Sequence, residues 1–281
     1  MENFEIKKTL LNRLDNLRQF YVKNLDYVIE TFDDEAIHDL RVSIRRILAF
    51  MYLIDQICAE TIYEELQKQL KTKIKRFNKL RDVQVQIATI INYIKKFPVL
   101  ADFLVFLKKN EKKQIKKLKS ALLYNEFDLR GDIFFYRNHI SQRECLSKTS
   151  INYLANIALN SFIDVDNSIK EIQPSNFSSY HKTRLKVKKF RYVVETLESI
   201  MSIPRDKIKE IQTIQTILGE IQDLTVLVHL VETFCSKEGQ GILKFSNFVE
   251  FVQHKREEKE EDFWENISKF DFWMDFFKNY L

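Results

Sequence analysis

Residues 37–54 (IHDLRVSIRRILAFMYLI) recur as residues 180–197 (YHKTRLKVKKFRYVVETL), and this repetition limits the possible folds more than any other feature. His38 aligns with His181, Arg41 with Arg184, Arg45 with Lys188 and Arg46 with Lys189. At 3.6 residues per turn, positions 0, +3 and +7 fall on one helical face. His38, Arg41 and Arg45 therefore project together, as do His181, Arg184 and Lys188. The opposite face is apolar: Leu40, Ile44, Ile47 and Met51 in the first copy, Val187, Phe190, Val194 and Leu197 in the second. Each copy is predicted to be an amphipathic helix with one side in a core and a cationic side pointing elsewhere.

A single cationic helix face is ordinarily a solvated surface. Here the same spacing returns in a second segment, and six of the ten residues 182–191 are basic with none acidic. Solvated faces usually mix signs, because like charges four residues apart repel. Retaining that repulsion implies an anion that relieves it.

A second repeated stretch settles the duplication. Residues 80–85 (LRDVQV) match residues 221–226 (IQDLTV). Four glycines and three prolines in 281 residues leave few turns, and Ile, Leu, Lys and Glu recur at helical spacing. The chain is therefore expected to be all-α, with two similar bundles related by a pseudo-twofold and each packing its own core. Residues 5–124 form the first, 125–148 the connection and 149–281 the second.

Within this frame residues 5–30 read as a first helix. Asp33 and Asp34 supply capping groups for the repeated helix. A third helix from about residue 60 carries Lys71, Lys75, Lys79 and Arg81 before turning apolar. Pro98 opens a fourth that begins apolar and then places Lys108, Lys109, Lys112, Lys116 and Lys119 on one face. A short helix is expected near residues 133–140. The second set follows: residues 151–172, the repeated helix after Pro174-Ser175-Asn176, a helix opened by Pro204, a turn at Gly239-Gln240-Gly241, and a helix to about residue 259. The aromatic tail from residue 262 (Phe263, Trp264, Phe270, Trp273, Phe277) is expected to pack back on the second half.

Several functions lack their residues. Cys58, Cys145 and Cys235 are odd in number and far apart, so neither a zinc site nor a disulfide framework is expected, and they read as small buried residues of a reducing cytosol. No uncharged apolar run approaches the ~18 residues of a membrane span, and residues 1–8 lack a signal-like apolar stretch. A soluble, intracellular protein is expected. There is no glycine-rich phosphate loop. Glu35 stands three residues before His38, as in di-iron bundles, and Asp39 follows it. Ser178 and Lys182 replace them beside His181, so neither metal reading survives the repeat.

The doubled pattern resembles the CHAD (conserved histidine α-helical) domain family. The matching residues are His38 to Arg46 with residues 77–85, and His181 to Tyr192 with residues 218–226. The resemblance spans nearly the whole chain. It implies a single domain over residues 1–281, built as two four-helix bundles facing a basic central groove or pore. It also implies binding of inorganic polyphosphate without chemistry on it. Leu48 stands where the first-half motif commonly has arginine, Asn78 replaces the glycine kept as Gly219, and Gln222 replaces the arginine kept as Arg81. Gln212 and Thr216 stand opposite Lys71 and Lys75. The site is therefore expected to be asymmetric.

A linear polyanion offers no base to read, so its binder needs many cations along a track. One exposed ion pair contributes only ~0–1 kcal/mol, and affinity comes from number and counterion release. The expected polyphosphate-binding residues are His38, Arg41, Arg45, Arg46, His181, Arg184, Lys188, Lys189 and Arg191, extended by Lys75, Lys79, Lys112 and Lys116. Arginines hold phosphate oxygens through paired hydrogen bonds, lysines act as point charges and protonated histidines add a donor. Asp82 and Asp223 are expected to orient track cations. No catalytic residue, metal or cofactor is expected. Partners are polyphosphate and other polyanions rather than a membrane, in the cytoplasm or at polyphosphate granules. A nucleic-acid binder is the alternative, although the phenylalanines fall at core periods and not between the cations. A polyphosphate-hydrolysing enzyme is the remaining reading.

Overall fold

Leu10, Leu14, Leu17, Tyr21, Leu25 and Val28 recur at three- and four-residue steps, and all are buried along one helix, α1 (Asn3–Thr31). The structure is a computed structural model that describes every residue except Met1, Asp33, Ser175 and Gln240, and of Asp34 only the backbone. Ten further α-helices follow among the described residues, and no strand. They are α2 (Asp34–Cys58), α3 (Glu64–Tyr93), α4 (Leu100–Leu123), α5 (Arg130–Ser141), α6 (Glu144–Lys148), α7 (Ile151–Lys170), α8 (Phe177–Met201), α9 (Arg205–Glu238), α10 (Ser246–Asn266) and α11 (Asp271–Lys278). The all-α expectation holds. Of the two aspartates expected to cap α2, Asp33 lies outside the described residues, as do Ser175 and Gln240 of the two expected turns.

Chain order and packing repeat together. Helices α1 to α4 pack each on the next, and α7 to α10 do the same. Helix α9 starts after Pro204 and ends at Gly239, whose φ of 64° lets its N–H return to the carbonyl of Cys235. The connection contributes α5 and α6, whose Ile133, Tyr136, Ile140 and Leu146 are buried against α1 and α2. The tail packs as expected: Trp273 and Phe277 lie edge-on to Phe190 of α8, and Phe270 lies against Phe162 of α7.

Two expectations are corrected. The apolar clusters do not follow the repeat boundary. One core joins α1, α2, α5, α6, α7, α8 and α11 with the first part of α3 and of α9 and the end of α4. The other joins Val83, Ile87 and Ile90 of α3 and Phe103 of α4 to Leu227, Val231 and Phe234 of α9 and Phe248 of α10. The apolar faces of α3 and α9 each turn from one core to the other, so the halves share both. Helix α9 alone among the described helices is long and apolar enough to cross a membrane, but Ile211, Ile214, Leu218 and Val231 put its apolar residues into these cores.

The second correction concerns cysteine. Cys58, at the end of α2, forms a disulfide with Cys145 of α6, 87 residues away. Packing of α6 across α1 and α2 brings the two Cα atoms to 5.3 Å, a proximity that sequence spacing could not reveal. Cys235 is free and buried.

Candidate functional site

Helices α2 and α8 pack side by side, and their cationic faces converge beside α3. Arg41, only 5% exposed, donates from Nε and Nη2 to the side-chain oxygen of Asn78 on α3, at 3.2 and 3.0 Å. Arg45 donates from Nη2 to the same oxygen at 3.1 Å. One amide thus aims two guanidiniums. In the second half Gly219 takes this position. A Cβ there would lie 3.8 Å from Arg184 Nε, so the Arg184 guanidinium passes over bare backbone. The Nε donors of Arg45 and Arg184 are buried without a hydrogen-bond partner among the described residues. Buried donors left so are costly, by about 1–3 kcal/mol each, until an acceptor reaches them.

Crowding of like charges shows in the protonation equilibria. Burial, then the fields of Arg45, Arg184, Arg41 and Arg191, push the Lys188 ammonium down to about 7. Burial and Arg45 lower Arg41 to about 10, and burial also lowers Arg45. His38 is shifted down by burial and then by Arg41 and Arg81, so the free protein keeps it neutral at pH 7. The Asp82 and Asp223 carboxyls, although on exposed residues, are raised by partial desolvation. Arg41 and Arg184 oppose that rise at Asp82, and Arg184 opposes it at Asp223. Neither aspartate forms an ion pair among the described residues. They act on the cluster through their field, and Asn78 supplies the hydrogen bonds that hold Arg41 and Arg45.

The remaining expected residues are distributed unevenly. Arg46 Nε lies 3.9 Å and Arg191 Nε 3.5 Å from the carboxylate of Glu195, which neutralises that end of the cluster. Lys189 turns away, its Nζ 3.9 Å from the ring centroid of Tyr52. His181 meets Gln222 through Nδ1 and Oε1 at 2.8 Å, so the glutamine that replaces an arginine ties α8 to α9. Lys75 is exposed one turn before Asn78 and Lys79 on α3. Lys79 and Lys116 line a separate groove between α3 and α4, and Lys112 is exposed outside its lining.

Asn78 and Glu195 were not legible as functional residues. Asn78 read as a lost glycine, because the convergence of Arg41 and Arg45 on it depends on the packing of α2 against α3. Glu195 stands four residues after Arg191, a spacing that suggests pairing, but nothing in that spacing brings Arg46 to it. Among the described residues no three His, Cys, Asp or Glu side chains gather as a metal site.

Comparisons with known proteins agree with this fold. A crystal structure of the CHAD domain from the plant Ricinus communis superposes with a TM-score of 0.74 at 20% identity, covering 95% of this chain and 91% of that one. PptA from Streptomyces chartreusis superposes with a TM-score of 0.66 at 13% identity, covering 96% and 99%. At such identities these likenesses speak for the fold. No curated protein sequence matches the chain. The CHAD domain family model matches residues 13–232, and the chain belongs to the CHAD domain family.

Proposed function

We propose that this protein binds inorganic polyphosphate at the cluster formed by Arg41, Arg45, Arg184 and Lys188, and performs no chemistry on it. The observation that carries the reading is the pair of buried, unpartnered Nε donors of Arg45 and Arg184 beside a lysine held at about 7. Such a set is destabilised alone and stabilised by an anion that supplies several oxygens at once. Phosphate oxygens along a flexible polyanion fit it, because the donors come from two helices, α2 and α8, and no planar ring is needed between them. The aromatic side chains around the cluster support the same choice over nucleic acid. Tyr192 is buried and Tyr52 is covered by Lys189, so neither offers a free stacking face. The setting proposed is the cytoplasm, at polyphosphate granules.

The test is a titration with long-chain polyphosphate across a salt series, competed with duplex DNA and single-stranded RNA. Binding is expected to resist both competitors near physiological salt. Arg41→Glu combined with Arg184→Glu is expected to lower affinity by at least about a hundredfold while helicity by circular dichroism stays intact. Equal competition by nucleic acid, or normal binding by the double variant, overturns the assignment. Sustained release of phosphate in a metal-supplemented assay overturns the absence of catalysis.

A further inference from the structure

The two outer grooves that flank the arginine cluster carry opposite electrostatics. Between α3 and α4 runs a groove of about 620 Å³ lined by Arg76, Lys79, Lys113, Lys116 and Lys117. Arg76 is paired with Glu126. The four lysines have no carboxylate partner among the described residues. On the other side, α9 and α10 with the end of α3 enclose a groove of about 330 Å³ that contains Lys255 and Lys259. Both are neutralised: Lys255 by Glu258 at 2.6 Å, and Lys259 by Glu220 at 3.2 Å and Asp262 at 2.8 Å. The helices themselves differ in the same sense. Helix α4 carries seven lysines against Asp102 and Glu111, whereas α10 carries seven carboxylates against Lys255, Arg256 and Lys259.

Helix α3 borders both the α3/α4 groove and the arginine cluster. Lys79 directly follows Asn78, the residue that holds Arg41 and Arg45. Lys75 lies one turn earlier and is exposed. Carboxylates stand on other sides of the cluster: Glu195 pairs with Arg46 and Arg191, and Asp223 and Glu220 line the α9/α10 groove.

We infer that the α3/α4 groove is a second anion subsite, and that a polyphosphate chain held at the arginine cluster leaves it on this side only. The inference rests on the polyphosphate reading of the cluster and adds a preference for long chains. Tripolyphosphate fills the cluster alone, whereas a long chain continues over Lys79 onto Lys113, Lys116 and Lys117. Each phosphate neutralised there releases counterions and steepens the salt dependence of long-chain binding.

The full chain would be titrated with tripolyphosphate and with long-chain polyphosphate at several salt concentrations. Lys79→Glu with Lys116→Glu is compared with Lys255→Glu plus Lys259→Glu, which changes net charge equally on the opposite side. The first variant is expected to lose about tenfold or more in long-chain affinity with a shallower salt slope, and to bind tripolyphosphate nearly as the wild type does. The second is expected to bind both probes nearly unchanged. Equal losses in the two variants mean a net-charge effect and overturn the subsite, as does an unchanged long-chain affinity in the first. If wild type binds neither probe, the reading of the arginine cluster fails first. If tripolyphosphate binding depends on Arg41 and Arg184 but long-chain binding ignores Lys79 and Lys116, only the one-sided subsite fails.

Discussion

Asn78 accepts from Arg41 and Arg45 together, so its oxygen fixes two rotamer-rich side chains before any ligand arrives. Ordering such a side chain costs about 0.5–1.5 kcal/mol on binding. Asn78→Ala is therefore expected to weaken polyphosphate binding a few-fold. Asn78→Asp is expected to weaken it more, because its carboxylate competes with phosphate for the same donors. Titration of both variants at one salt concentration checks the order, and tighter binding by Asn78→Ala contradicts it. Lys188 makes a second prediction. At about 7, against an ordinary value of 10.5, it is partly neutral in the free protein at pH 7. A bound polyanion raises that value, so binding takes up a proton and affinity falls as pH rises above about 7. Lys188→Met should flatten this pH dependence. The sign for stability is the reverse of the usual salt-bridge case. The penalty for charging Lys188 is absent above its unfolded value, grows as pH falls and is complete below about 7. The methionine variant therefore gains most in stability at pH below about 7, which thermal melts across pH would show.

At the scale of elements, α6 is a five-residue helix that cannot hold its place by its own hydrogen bonds. Buried Leu146 and the Cys58–Cys145 bond dock it against α1 and α2. Closing so long a loop contributes about 2–4 kcal/mol, chiefly by constraining the unfolded chain. Cys58→Ser, or reduction, is expected to lower the melting midpoint by several degrees and leave polyphosphate binding unchanged, since neither cysteine touches the arginine cluster. A loss of binding on reduction would contradict that separation. In the cytoplasm a reducing poise opposes the bond, so the oxidised fraction trapped by thiol alkylation in cells also reports on the proposed compartment.

Taken whole, the molecule has repeated halves without separate cores. Helices α3 and α9 each span both apolar clusters, and α2 packs directly on α7 and α8. A single cooperative thermal transition is therefore expected in calorimetry, and residues 1–148 and 149–281 expressed apart should fail to fold. Two resolved transitions would refute the shared core. The net charge of +5 conceals the polarity of the molecule. The cations of α4 and the carboxylates of α10 nearly cancel in the sum, and only their separation in space matters to a polyanion.

The sequence by itself determined the helical class, the duplication and the central cations. Amphipathic period is a local property, and His38, Arg41 and Arg45 share a face wherever their helix goes. The docking of the aromatic tail was legible for the same reason, because Trp273 and Phe277 recur on one apolar face. What each cation meets was decided by tertiary structure. Arg46 and Arg191 share Glu195, Lys189 covers Tyr52 and His181 binds Gln222, because the crossing of α2, α8 and α9 brings residues from distant positions within a few ångströms. The same holds for the Cys58–Cys145 bond and for the shared cores. Helical period tells which face is buried, but only packing chooses the partner against which it is buried.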